Sequence, residues 1–141
     1  MMSLQLPPEA LQVIREHAAS AYPDECCGAL IGASGSHGTT RVVEAFPLPN
    51  ATDEGARRRF LVRPSDYRAA ETQARNTGAE LVGFYHSHPD HPARPSEYDL
   101  AHAWPNLSYV IVAVAEGQSA DVRSWRLRDD RSSFLEESLR T

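Results

Sequence analysis

The sequence predicts an α/β fold in which a mixed, curved β-sheet is flanked by helices. Several short runs are apolar and rich in β-branched residues, above all Tyr109–Val114, and such runs are typical of buried strands. Two segments that begin at prolines carry apolar side chains at helical spacing, as amphipathic helices do. Near both ends of the chain, predicted strands follow each other without an intervening helix, which favours a mixed sheet over a strictly alternating parallel one.

The composition indicates a single domain that spans residues 1–141. The chain has 141 residues, 41% of them hydrophobic, and a net charge of −5. An acidic balance excludes a nucleic-acid footprint of the usual basic kind, and no apolar run approaches the ~20 residues that span a bilayer. The two cysteines, Cys26 and Cys27, are adjacent, which is unsuited to a disulfide between them. We therefore expect a cytoplasmic protein with neither a nucleic-acid nor a membrane partner.

The first half of the chain predicts a helix followed by two paired strands. The helix begins at Pro7 and Pro8 and ends before Pro23. A buried strand runs from Cys26 to Gly32, and after a Gly/Ser-rich turn a second strand runs from Arg41 to Leu48.

A polar stretch from Pro49 to Arg59 predicts a mobile loop. It contains the run Arg57–Arg59, which we interpret either as a solvated face or as a docking patch. Phe60–Val62 predicts a brief strand, and Pro64–Thr77 predicts a second helix that stops at Gly78.

The second half predicts four elements. They are a buried strand over Leu81–Tyr85, a helix from Ser96 to Trp104, a central strand over Tyr109–Val114 and another strand over Ala120–Leu127. The tail from Ser132 is compatible with either a final strand or a short helix.

Four polar residues at the end of the predicted strand over Leu81–Tyr85 and at the start of the helix that follows it indicate a metal site. His86 and His88 are two apart on a strand and point the same way. Ser96 and Asp99 are three apart and share a face of a helix. Two imidazoles and one carboxylate leave a tetrahedral zinc ion one open position, as in catalytic sites. Ser96-x-x-Asp99 is also a helix N-cap pattern, and both interpretations can hold at once.

Four further residues have more than one interpretation. Glu25 stands at the mouth of the first buried strand and is either an exposed boundary residue or a functional carboxylate. Cys26 and Cys27 are either rival zinc ligands or small buried hydrophobic residues. His91 is a further rival ligand or only lines the entrance to the site.

These residues resemble the signature of the JAMM (MPN-positive, Mov34-type) zinc metallopeptidases. The resemblance lies in His86-Ser87-His88-Pro89, the seven-residue spacer from Pro89 to Pro95, and Ser96-Glu97-Tyr98-Asp99. Outside the motif, Pro23–Gly32 resembles the segment that carries the family's upstream glutamate. Four further segments resemble the small bacterial branch: Asn50, Phe60, Arg63–Tyr67 and Val122–Leu127. The resemblance implies the cytidine-deaminase-like fold of that family.

The resemblance also implies a role for each motif position. His86, His88 and Asp99 would bind Zn²⁺, Glu25 would act as general base, and Ser96 would assist at the tetrahedral intermediate. The implied activity is hydrolysis of the amide bond after the C-terminal Gly-Gly of a ubiquitin-like sulfur carrier protein, such as the release of cysteine.

Two other functions stay open at this point. One is a non-catalytic MPN-type interaction module, and the other is an isopeptidase that removes a ubiquitin-like modifier from lysine. The sequence leaves a homodimer possible and does not identify the carrier.

Overall fold

The computed structural model describes residues 2–141, which form three α-helices and seven β-strands. The helices are α1 (Pro8–Ala21), α2 (Pro64–Asn76) and α3 (Glu97–His102). The strands are β1 (Ser3–Gln5), β2 (Cys27–Ser34), β3 (Thr39–Leu48), β4 (Glu80–Pro89), β5 (Ser108–Ala115), β6 (Gln118–Leu127) and β7 (Phe134–Arg140).

The strands close into a barrel in the order β1-β3-β2-β4-β5-β6-β7. The predicted mixed α/β character is confirmed, but the sheet closes into a barrel, whereas a curved sheet alone was expected. β1 pairs in parallel with both β3 and β7 and so closes the sheet. Because β1 has only three residues, Ser3–Gln5, it carries no alternation that would mark it as a strand in the sequence.

Most predicted elements are present, and one is not. The helix after Pro7, the antiparallel pair β2–β3 and the parallel pair β4–β5 lie where the apolar patterns indicate, and the tail forms a strand, β7. The predicted strand over Phe60–Val62 is wrong. The Leu61 N–H donates to the Asn50 side chain, and the Leu61 carbonyl accepts from the Ala51 N–H. Hydrogen bonds to a loop therefore hold this segment, which pairs with no β-strand.

Two apolar clusters support the barrel. In the first, the buried face of α1 (Ala10, Ile14 and Ala18) packs with Leu30 and Val110. In the second, Phe84, Tyr109 and Leu127 pack with Ala70 of α2. Burying each Leu, Ile, Val or Phe side chain contributes roughly 1.5–3 kcal/mol, so these clusters fix the positions of β2 and β4.

The pairing of β2 with β4 positions the polar residues of interest. The two strands are antiparallel, with Cys27 opposite His86, so the start of β2 and the end of β4 meet at one end of the barrel. Successive side chains of β4 point to opposite faces of the sheet, so Tyr85 and its neighbour His86 lie on different sides. The Tyr85 ring lies against Gly28, in the space that any larger side chain at that position would need.

Candidate metal centre

Three ligand atoms converge at the end of β4. His86 Nε2 lies 3.1 Å from His88 Nε2, and Asp99 Oδ2 lies 3.2 Å and 3.1 Å from these two atoms. Zinc bonds of 2.0–2.1 Å in a tetrahedron separate neighbouring ligand atoms by about 3.3 Å. All three side chains are buried. The three atoms therefore have the spacing that one small metal ion requires.

The hydrogen bonding of His88 calls for a proton or a metal ion at this point. Its Nδ1–H donates to the Pro92 carbonyl at 2.8 Å, so in the neutral ring Nε2 carries a lone pair. That lone pair faces the Asp99 carboxylate. Two electron-rich atoms at 3.1 Å repel each other unless a proton or a metal ion lies between them. A ligating histidine held by a backbone carbonyl is the usual support of a metal site, so the residues fit a zinc ion.

Asp99 takes part both in the N-terminal cap of α3 and in the cluster of ligand atoms. Ser96 caps α3: its hydroxyl oxygen accepts from the Asp99 N–H, and its own N–H donates to Asp99 Oδ2 at 2.9 Å. Burial opposes ionisation of Asp99, but the attraction of His86 and hydrogen bonds from His86, His88 and the Ser96 backbone outweigh it. The pKa of Asp99 is therefore held well below its usual range, and the carboxylate is charged at neutral pH.

Glu25 lies buried beside this cluster. The residue is only 2% exposed, and its side-chain Oε1 atom has no hydrogen-bond partner within residues 2–141. Burial raises the pKa of Glu25 to about 8; the charge of His88 opposes this shift, and that of Asp99 adds to it. A carboxylate that titrates near neutral pH can both accept and donate a proton, as a general base must.

Backbone contacts hold Glu25 at the mouth of β2. Its N–H donates to the Ala56 carbonyl at 2.7 Å, and its carbonyl accepts from the Asn50 side chain at 3.0 Å. The roles of Asn50 and of the Pro92 carbonyl were not predicted. A backbone carbonyl carries no sequence signal, whereas an Asn at the start of a loop is a general turn signal.

The rival ligands occupy other positions. Cys26 and Cys27 are buried, and burial raises the pKa of their thiols to about 11 and about 12. Neither thiol joins a converging ligand group in the part of the chain that the structure describes. This agrees with their interpretation as small buried hydrophobic residues.

His91 forms a second group of potential ligands with Glu25 and His88. The His91 ring stacks on His88 with centroids 4.2 Å apart, and its Nδ1–H donates to the Pro89 carbonyl. The two groups share His88, whose Nδ1 is already bonded to Pro92. A single ion therefore has two alternative positions, and the three tightly converging atoms favour the one at His86, His88 and Asp99.

An apolar groove of about 200 Å³ opens next to the cluster. Phe60 stacks on the His86 ring with centroids 4.7 Å apart and begins the groove. Aromatic side chains continue along it to Trp104, which is exposed. The other aromatic lining residues are Tyr67, Phe84, Tyr98 and Tyr109.

None of the helices formed by residues 2–141 combines the length and apolar character of a membrane span.

Comparison with known proteins identifies a family and several relatives. Residues 7–128 match the family described as prokaryotic homologs of the JAB domain. The chain is 36% identical over 98 residues to a desampylase of Haloferax volcanii, covering 69% of this chain and 68% of that protein. It is 31% identical over 108 residues to a probable TtuB-protein conjugate cleaving protease of Thermus thermophilus, covering 77% and 68%. It is also 36% identical to tail tip assembly protein K of Escherichia phage N15, covering 77% of this chain but only 40% of that protein's length.

Solved structures show the same architecture. A Salinibacter ruber protein is 42% identical, with a TM-score of 0.76 over 100% of this chain and 92% of its own. A JAB1/MPN domain protein of Archaeoglobus fulgidus is 22% identical, with a TM-score of 0.56 over 99% of this chain and 100% of its own, which shows a shared fold.

Proposed function

The chain belongs to the prokaryotic homologs of the JAB domain, and from that premise we propose that it is a zinc-dependent peptidase. Its reaction is hydrolysis of the amide bond that follows the C-terminal Gly-Gly of a ubiquitin-like sulfur carrier protein, for example to release cysteine. One observation carries the proposal: two imidazoles and a carboxylate converge within 3.2 Å beside the buried Glu25, whose Oε1 atom has no hydrogen-bond partner among residues 2–141.

His86, His88 and Asp99 would hold the zinc ion, leaving its fourth position open. Zinc in such a site polarises a carbonyl group and makes a water molecule acidic enough to react near neutral pH. Asp99 supplies the negative charge of the ligand set, and the Pro92 carbonyl keeps the His88 lone pair directed inward.

Glu25 would take the proton from the attacking water and deliver it to the leaving amine. Burial raises its pKa towards neutral pH, which suits both halves of this transfer. Ser96 would donate its hydroxyl hydrogen to the developing oxyanion. The oxygen of that hydroxyl already accepts from the Asp99 N–H, which fixes its position. One such donor typically lowers the barrier by roughly 3 kcal/mol.

The names of two relatives support a ubiquitin-like partner. One is called a desampylase and the other a TtuB-protein conjugate cleaving protease. The second name also favours another candidate function, removal of a ubiquitin-like modifier from a lysine. A non-catalytic interaction module is disfavoured because every residue of the implied ligand set and the glutamate are in place. A cytoplasmic location and a homodimer stay predictions.

The proposal is tested with carrier proteins that end in Gly-Gly and are extended by one residue. Each carrier from the same genome is incubated with zinc-loaded protein and analysed by mass spectrometry. We expect the wild-type protein to remove one residue from the carrier, seen as the loss of that residue's mass. With Glu25→Gln the mass of the carrier should stay unchanged. If every carrier stays intact under conditions in which the protein holds zinc, the peptidase function is wrong.

A further inference from the structure

The backbone of Glu25 is held by a loop and not by the barrel. The hydrogen bonds that join this end of β2 to β4 stop at Cys26, whose carbonyl accepts from the Ser87 N–H and whose N–H donates to the Ser87 hydroxyl. The Glu25 N–H donates instead to the Ala56 carbonyl at 2.7 Å, and the Glu25 carbonyl accepts from the Asn50 side chain at 3.0 Å. Because its Oε1 atom has no partner within residues 2–141, the position of the carboxylate depends on these two backbone contacts.

The Asn50 carboxamide closes this loop at its neck. Its Nδ2 group donates to the carbonyls of Glu25 and Arg59, at 3.0 Å and 3.2 Å. Its Oδ1 atom accepts from the N–H groups of Thr52 and Leu61, at 3.2 Å and 3.0 Å. An asparagine side chain has two N–H donors and one oxygen with two lone pairs. Every donor and acceptor of the Asn50 side chain is therefore used.

The four partners of Asn50 require a carboxamide. Two of them are carbonyls, which need a donor, and the other two are N–H groups, which need an acceptor. An aspartate has the same shape, but it would place a carboxylate oxygen where the Nδ2 group now lies, 3.0 Å from the Glu25 carbonyl oxygen. Two electron-rich oxygens at that distance repel each other. The loss of a single N–H₂ group would thus release the backbone of Glu25.

The same loop carries Phe60, whose ring stacks on the His86 ring. Asn50 binds the backbone on both sides of Phe60. The Phe60 carbonyl has a further support, because the Tyr98 hydroxyl donates to it at 3.2 Å. Loss of the Asn50 carboxamide should therefore displace Glu25 more than Phe60.

We propose that Asn50 is a positioning residue for the hydrolysis, which keeps the Glu25 carboxylate in place for its proton transfers. This inference rests on the proposed function, in which Glu25 is the general base. A base must lie within hydrogen-bond reach of the proton that it takes, and a misplacement of about 1 Å can cost about 10²-fold in rate. The implied metal ligands lie on β4 and α3, and Asn50 binds none of them.

The test measures bound zinc and kcat for Asn50→Asp, with the carrier cleaved in the preceding experiment as substrate. This substitution removes the two donors and keeps an acceptor for the N–H groups of Thr52 and Leu61. We expect one zinc ion per chain and a kcat per bound zinc that is lower by about 10–100-fold. KM should change little, since Asn50 supports the base and not the substrate. Asn50→Ala, which adds no charge, should lower kcat at least as much.

A second comparison determines whether Asn50 acts through Glu25. In Glu25→Gln the proposed base is already lost, so the addition of Asn50→Asp should lower kcat no further. Two residues that act as a unit have such non-additive effects.

A matched control is available at the end of α2. Asn76 is exposed there, and Asn76→Asp makes the same exchange of nitrogen for oxygen. This variant should keep the kcat and the zinc content of the wild-type protein.

Three results would overturn the inference. An unchanged kcat per bound zinc in both Asn50 variants would make the contact purely structural. A fall in Asn50→Asp alone would assign the effect to the added charge. A full further loss in the Glu25→Gln background would place the effect on Phe60 and the groove. All three leave the peptidase function intact, whereas failure to cleave any carrier contradicts the proposed function itself.

Discussion

Two buried glutamates of this barrel have opposite surroundings. Glu137 on β7 is 4% exposed and fully engaged: the Ser124 hydroxyl donates to it at 2.7 Å and Arg126 Nε at 3.2 Å, while Arg126 also donates to Thr40. Glu25 is 2% exposed, and within residues 2–141 one of its carboxylate oxygens has no partner.

The difference separates a structural carboxylate from the proposed functional one. A buried polar group without a partner costs roughly 1–3 kcal/mol, so such groups are rare and concentrate where a site needs them. Glu137 joins β6, β7 and β3 and stabilises the closure of the barrel. Glu25 adds no such contact and instead faces the ligand cluster.

Replacing a ligand should have the largest effect on the functional end. In His88→Ala we expect the bound zinc to fall well below one ion per chain and hydrolysis to fall by roughly 10³-fold or more, because one of three ligands is lost. Metal analysis and the carrier assay measure the two effects. His37→Ala, at an exposed turn, should match the wild-type protein; a zinc content unchanged in His88→Ala would exclude this residue as a ligand.

Replacing the proposed base should separate metal binding from turnover. Glu25→Gln keeps the shape of the side chain but cannot accept the proton, so kcat should fall by roughly 10²–10⁴-fold with one zinc ion still bound. The same two measurements apply. Loss of zinc in parallel with activity would make Glu25 a ligand, as in the alternative group with His88 and His91.

Replacing the structural glutamate should show the reverse pattern. Glu137→Ala leaves Arg126 without its buried partner and should lower the free energy of unfolding by about 2–4 kcal/mol, with kcat/KM unchanged in the folded protein. Urea denaturation provides the measurement. Glu136→Ala breaks only an exposed pair with Arg123 and should change stability by about 0.5 kcal/mol or less. Equal effects of the two substitutions would remove the distinction.

The smallest effect concerns pH in the metal-free protein. The pKa of Glu25 is about 8 in the folded state against an ordinary value of 4.5, so the folded state binds more protons than the unfolded state between these values. Stability should therefore fall as the pH rises from 4.5 to 8. Glu25→Gln should remove this contribution and be more stable than the wild-type protein at pH 8, by roughly 1–2 kcal/mol, but not at pH 5. A constant difference across this range would contradict the burial of an uncompensated carboxylate.

The sequence predicted the candidate site better than the closure of the barrel. His86, His88 and Asp99 converge as the strand and helix periodicities indicate, and Ser96 caps α3 as its spacing to Asp99 suggests. These relations are local, spanning at most 13 residues. Closure by β1 depends on pairing with residues more than 30 positions away, and a three-residue strand carries no pattern that reveals it.

The loop was the least predictable region for a related reason. Phe60–Val62 is apolar and was predicted as a strand, yet the Asn50 side chain holds this segment and Phe60 packs on His86. Apolar residues next to an active centre have the same composition as a short strand, and only tertiary contacts distinguish the two.

The central claim is that one ion binds between His86, His88 and Asp99 while Glu25 stays free to accept a proton. Anomalous diffraction at the zinc edge from crystals of the zinc-loaded protein tests it most directly. We predict a single peak about 2.0–2.2 Å from His86 Nε2, His88 Nε2 and Asp99 Oδ2, with the Glu25 carboxylate outside bonding distance. A peak bonded to Glu25 and His91 would contradict it.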